Sequence, residues 1–150
     1  MTTQERFLHY ITYDTQSDED SVLTPSTPKQ KRLGARLAQE LQEMGLEHAH
    51  LAENGAVYGW LPATAGKEDL PVLALIAHMD TAPRVPGENV KAKIVRYEGG
   101  DLVLNAERGI VMTPAGFPDL NDQVGKELIV TDGTTLLGAS PSISRSLRIF

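Results

Sequence analysis

The chain has 150 residues, 41% of them hydrophobic and 23% charged, with a formal net charge of −6 and no cysteine. That length and balance predict one folded domain rather than a disordered segment. The acidic excess argues against a nucleic acid or an anionic membrane as partner, and the lack of cysteine excludes disulfides, thiolate catalysis and cysteine-held metal sites.

The opening residues, Met1 to Arg6, lack the basic start and apolar stretch of a secretory signal. The longest apolar run, Val72 to Ala77, is far short of the roughly 20 residues a membrane helix needs. A soluble, cytoplasmic chain is therefore expected.

A short helix comes first: Thr2 and Glu5 have the spacing of a capping box, and Phe7, Leu8 and Ile11 form an apolar stripe. His9 within it reads as structural. A polar loop follows from Asp14 to Pro28, and its acidic triplet Asp18-Glu19-Asp20 lacks the spacing of a calcium loop. Thr27-Pro28-Lys29-Gln30 then opens a second helix, with Thr27 as cap and Pro28 in the first turn. Leu33, Leu37, Leu41 and Met44 recur at helical spacing as a core stripe, and Gly45 stops the helix. Gly34, inside the helix, either weakens it or lets another element approach closely.

Short strands are expected next, over Glu47 to Ala52 and Ala56 to Leu61, joined by the Asn54-Gly55 turn. His48 and His50 would share one face of the first, but two imidazoles do not close a zinc site. Pro71 to Ala77 is apolar without alternation, which predicts a strand buried on both faces of a sheet. Further strands are expected over Lys91 to Tyr97, Leu102 to Leu104, Ile110 to Met112 and Glu127 to Thr131, separated by turn residues. Two helices followed by many strands make this an α/β chain, with helices packed on a mixed β-sheet.

Two stretches carry chemistry. His78-Met79-Asp80 ends the apolar run, so on a strand His78 and Asp80 would point the same way. An imidazole ligates zinc well when a carboxylate accepts its other ring N–H, and open α/β sheets bind ligands beyond the carboxyl ends of their strands. The same pair also fits a strand-end histidine with an ordinary hydrogen-bond partner. The second stretch, Thr131-Asp132-Gly133-Thr134-Thr135-Leu136-Leu137-Gly138-Ala139, reads as a turn and a Gly-flanked segment, either packed or placed to meet the first site.

Taken together, these stretches resemble the tripeptide aminopeptidases of the M20 family of di-zinc metallopeptidases. The similarity runs in order through Glu5-Arg6-Phe7-Leu8, Asp14-Thr15-Gln16-Ser17, Ile76-Ala77-His78-Met79-Asp80-Thr81-Ala82-Pro83, Pro118-Asp119-Leu120 and Thr131 to Ala139, covering residues 1 to 139. The resemblance implies the N-terminal part of an M20-type catalytic domain, in which His78 binds a zinc ion and Asp80 is the active-site residue that orients it. The implied reaction is release of the N-terminal residue of a tripeptide by a water shared between two Zn2+ ions. A carboxypeptidase or deacylase of the same family, or a non-catalytic binding module, are the rival expectations.

The match ends where the family places Asp-Asp-Lys-Ala-Gly, whose first aspartate bridges both zincs. Here the residues are Ser140-Pro141-Ser142-Ile143-Ser144, and a neutral serine cannot replace a bridging carboxylate. Residues 140 to 150 therefore read as non-family sequence, as from a frameshift, a premature stop or an assembly error, or as a disordered tail. The other zinc ligands, the general-base glutamate and the dimerisation domain of intact, homodimeric members would all lie beyond it. On that basis an inactive, poorly soluble fragment is expected.

Overall fold

A computed structural model describes residues 1–135, and residues 136–150, which include the expected non-family tail, lie outside this description. The elements run in the order α1 (Thr3–Tyr10), α2 (Gln30–Glu43), β1 (Glu47–Leu51), β2 (Val57–Trp60), β3 (Lys93–Arg96), β4 (Leu102–Asn105), β5 (Ile110–Met112), a 3-10 turn (Pro118–Gln123) and β6 (Glu127–Val130). The chain separates into two compact units, one of residues 15–83 and one joining residues 1–14 to those from 84 onward.

In the unit of residues 15–83, α2 packs on the β1–β2 hairpin. The helix begins differently from the sequence expectation. Its N-cap is Lys29, with no side-chain cap: the Gln30 amide meets the Thr27 carbonyl at 3.3 Å, and the Thr27 hydroxyl donates to the carbonyl of Gln16 at 2.7 Å. It ends as expected at Gly45, with φ +84°. The Leu46 amide reaches the Leu41 carbonyl and the Gly45 amide that of Gln42, the paired bonds of a Schellman motif. Leu33 and Ala38 are buried, whereas Met44, expected in the core stripe, is half exposed. Glu40, also buried, is paired with Arg36 one turn earlier at 2.8 Å.

At Gly34 the hairpin comes close to the helix. A Cβ there would stand 2.8 Å from Leu51 Cδ1 and 3.5 Å from Val57 Cγ2, so the glycine lets β1 and β2 approach the helix. The hairpin turns at Asn54-Gly55, where Asn54 Oδ1 accepts the Ala56 amide and Gly55 has φ +86°. β1 and β2 are antiparallel, with an irregularity between Glu47 and His50. His48 sits there with φ +54°, so the regular alternation expected to align His48 with His50 is broken. The His50 ring stacks on Tyr58, its cross-strand partner, at 5.4 Å.

The largest departure is Pro71 to Ala77. No strand forms there, and the side chains are exposed, Leu75 at 89% and Ile76 at 93%. A strand buried on both faces needs a hydrogen-bonding neighbour on each side and cover above and below. Among the described residues of this unit, the one regular sheet is the β1–β2 hairpin, and the single parallel contact joins Gln16 to Thr81, beyond the end of the run.

In the other unit, α1 carries the expected capping box: Thr2 Oγ1 accepts the Glu5 amide and Glu5 Oε2 accepts the Thr2 amide. Phe7 of α1 lines an open hollow with Ile94 of β3 and Ile129 of β6. β3 pairs antiparallel with β6, and β4 with β5, the second pair containing an irregularity at Val103–Asn105. His9 lies edge-on to Tyr13, in keeping with a structural role. The described strands thus form three separate two-stranded antiparallel sheets rather than one mixed sheet, although the combination of helices and sheets is that of an α/β chain. No helix among the described residues is long and apolar enough to cross a membrane.

Candidate functional site

His78 and Asp80 lie in irregular chain, not at the end of a strand, yet their side chains meet. His78 Nδ1 is 3.1 Å from Asp80 Oδ1 and 3.0 Å from the Asp80 main-chain carbonyl. Both contacted oxygens are acceptors, so Nδ1 is the donor in these contacts and Nε2 takes no part in them. The two side chains are 50% and 45% exposed, so solvent and solutes reach the pair. An imidazole held this way by one nitrogen presents the other as a ligand of fixed direction.

Met79, between them, reaches α2. Its Cε is 3.6 Å from the position of a Cβ on Gly34, so the intervening side chain rests on α2 while its two polar neighbours are left in the open. Immediately downstream the chain is held firmly. The Thr81 amide donates to the Thr15 carbonyl at 3.1 Å, and the Ser17 amide and hydroxyl both donate to the Thr81 carbonyl at 2.9 Å. Thr15 and Thr81 are both buried. The segment Thr15-Gln16-Ser17 thus holds Thr81 and Pro83, just after Asp80, which its sequence gave no ground to expect: the residues are ordinary loop formers, separated from their partners by more than sixty positions.

The other expected stretch begins in the second unit. Asp132 Oδ1 accepts both the amide of Thr134 at 3.0 Å and its hydroxyl at 2.5 Å, and Lys91 Nζ stands 3.6 Å from Oδ2. The Thr134 hydroxyl above all, then its amide and the Lys91 ammonium, holds the Asp132 carboxyl below its usual range. This is turn chemistry, and Asp132 here is bound to its own loop. Leu136 to Ala139 and Ser140-Pro141 lie outside the described residues.

The pairing of His78 with Asp80 is chemically suited to one zinc ligand and its orienting carboxylate. Among the described residues no cluster of three or more His, Cys, Asp or Glu side chains is placed to hold a metal ion, and His48 and His50 do not extend the pair into one.

No family model matches the chain. Over 136 residues, 90% of its length, it is 55% identical to Peptidase T of Desulfitobacterium hafniense strain Y51. It is 48% identical over 139 residues to Peptidase T of Parabacteroides distasonis, and 50% identical over 136 residues to Peptidase T of Clostridium acetobutylicum. The chain matches the N-terminal portion of Peptidase T. It spans about a third of the length of these curated relatives, 33% of the first and third and 34% of the second. The similarity to Peptidase T covers 90% or more of this chain in each comparison, so it is not confined to a short motif.

Proposed function

We propose that the chain carries the His78–Asp80 portion of a zinc-dependent aminopeptidase centre, in a cytoplasmic M20-type catalytic domain that releases the N-terminal residue of tripeptides. The observation that carries this reading is the His78 ring itself, held through Nδ1 by Asp80 on a half-exposed side chain. The similarity to proteins named Peptidase T supports the hydrolysis of peptides as the chemistry to which the pair contributes.

In this reading His78 would hold the metal through Nε2, and Asp80 would fix the direction of that lone pair and raise the basicity of the ring. The metal, when bound, would supply Lewis acidity and a water of lowered pKa. Asp80 contributes by accepting from Nδ1, and Met79, whose Cε lies close to Gly34, anchors the residue between the two polar side chains to α2. One imidazole is a weak site, since stable zinc centres use three or four protein ligands. With no larger cluster among the described residues, the chain by itself is expected to bind Zn2+ weakly and to turn over no tripeptide.

Calorimetric titration of the chain with Zn2+, beside its His78→Ala variant, tests this reading. Weak binding that disappears in His78→Ala is the expected result. Identical titrations for parent and variant would refute the assignment of His78. Stoichiometric zinc accompanied by tripeptide cleavage would refute the incomplete centre, and an assay with free and N-acetylated tripeptides would then report whether a free amine is required.

A further inference from the structure

The His78–Asp80 contact joins two half-exposed side chains two residues apart, and in water such a contact does not hold a backbone in place. Something else must set the geometry. Upstream there is no hold: among the described residues, no backbone–backbone hydrogen bond engages residues 71–80. The constraint comes from the downstream side and from the packing of Met79 on Gly34.

Gln16 is central to that downstream hold. It stands opposite Thr81 in the parallel bridge that the Thr15 carbonyl and Ser17 amide make on either side of it, while its side-chain amide donates from Nε2 to the Pro83 carbonyl at 2.7 Å. The other end of the same amide, Oε1, accepts from Lys29 Nζ at 3.3 Å, and the Gln16 carbonyl accepts the Thr27 hydroxyl at 2.7 Å. Lys29 is the residue on which α2 begins. One side chain therefore ties the stretch after Asp80 to the start of the helix on which Met79 rests. The two ends of its amide are used by one donor and one acceptor, which fixes its orientation.

We propose that Gln16 is a positioning residue for the His78–Asp80 pair, holding residues 81–83 against the start of α2 so that Asp80 stays under the His78 ring. The proposal rests on the functional reading only for its purpose. The geometric effect on the ring is separable from metal binding. Substituting Gln16 by Ala removes both amide contacts. Gln16→Glu keeps the length and the acceptor for Lys29 but has no N–H to give Pro83, and being nearly isosteric it guards against a variant that simply fails to fold.

The experiment is nitrogen-15 NMR of the His78 imidazole in the zinc-free chain, together with exchange of the Thr81 amide. In the parent chain the ring is expected in the Nδ1–H form. In both variants the expected result is loss of that form in favour of a mixture of tautomers, with Thr81 exchange faster by about tenfold, the scale of one lost hydrogen bond. Faster Thr81 exchange with the His78 tautomer unchanged would make Gln16 a purely structural tie and overturn the proposal, as would no change in either signal. A Zn2+ titration that His78→Ala leaves unaltered would instead defeat the functional reading, with the ring spectra still deciding the role of Gln16.

Discussion

His78 faces Asp80 twice: its Nδ1 lies 3.1 Å from the carboxylate and 3.0 Å from the main-chain carbonyl of the same residue. The carbonyl remains when the side chain is removed. Asp80→Ala is therefore expected to keep the Nδ1–H form of the ring in part, and to weaken Zn2+ binding by about tenfold, the lower end of the effect of losing an orienting carboxylate. His78→Ala should abolish the same binding. Zinc titrations of the two variants side by side check the order. An Asp80→Ala variant as defective as His78→Ala would show that the carboxylate itself ligates.

Gly133 cannot accept a side chain. Its φ is +75°, and a Cβ would stand 2.7 Å from Ile110 Cγ2 of β5, a branched carbon with little room to turn. Gly133→Ala is expected to destabilise the chain by about 2 kcal/mol, from the left-handed backbone and the overlap together. Gly45→Ala, at φ +84° with nothing within 4 Å, should cost only the backbone part, roughly 1 kcal/mol. Urea denaturation of both variants measures the difference, and equal losses would show that Ile110 yields freely.

Asp132 links stability to pH. Its folded carboxyl lies below the ordinary aspartate value of 3.8 because the Thr134 hydroxyl and amide, and then Lys91, favour the charged form. A depressed carboxyl stabilises the fold above the unfolded value, and that stabilisation is lost as pH falls through the folded one. Asp132→Asn should therefore be less stable than the parent at neutral pH, with the difference closing below pH 3.8. Denaturation midpoints of both chains at neutral and strongly acidic pH test this, and a difference that widens on acidification would contradict it.

The run from Pro71 to Ala77 is apolar, exposed to solvent and free of backbone–backbone hydrogen bonds among the described residues. Such a segment is a template for strand pairing between chains. The parent chain is expected to associate at micromolar concentrations, and Leu75→Lys, which places a charge on an 89% exposed position, to reduce that association without loss of stability. Light scattering with a parallel melting curve is the check. A parent that stays monomeric would remove the basis for the prediction.

These outcomes separate what local chemistry dictates from what packing dictates. The Thr2–Glu5 capping box, the Gly45 stop, the Asn54-Gly55 turn and the short strands from Glu47 onward were legible because each depends on residues a few positions apart. The His78–Asp80 contact was legible for the same reason, since a single residue, Met79, separates its partners along the chain. Thr27 misled because the Gln30 amide that its side chain was expected to accept bonds the Thr27 carbonyl instead, while the hydroxyl donates to the distant Gln16 carbonyl.

The sequence by itself determined the Thr2–Glu5 cap, the Gly45 stop, the Asn54-Gly55 hairpin turn and the proximity of an imidazole to a carboxylate, because these are settled by dihedral preferences and short-range hydrogen bonds. The tertiary structure decided that Pro71 to Ala77 is not a strand, since a strand exists only where another backbone accepts its hydrogen bonds. It also decided that Met79 rests on Gly34 and that Gln16 reaches Pro83, 67 residues away. Contacts at that separation have no local signature, because they are fixed by which surfaces the folded chain brings together.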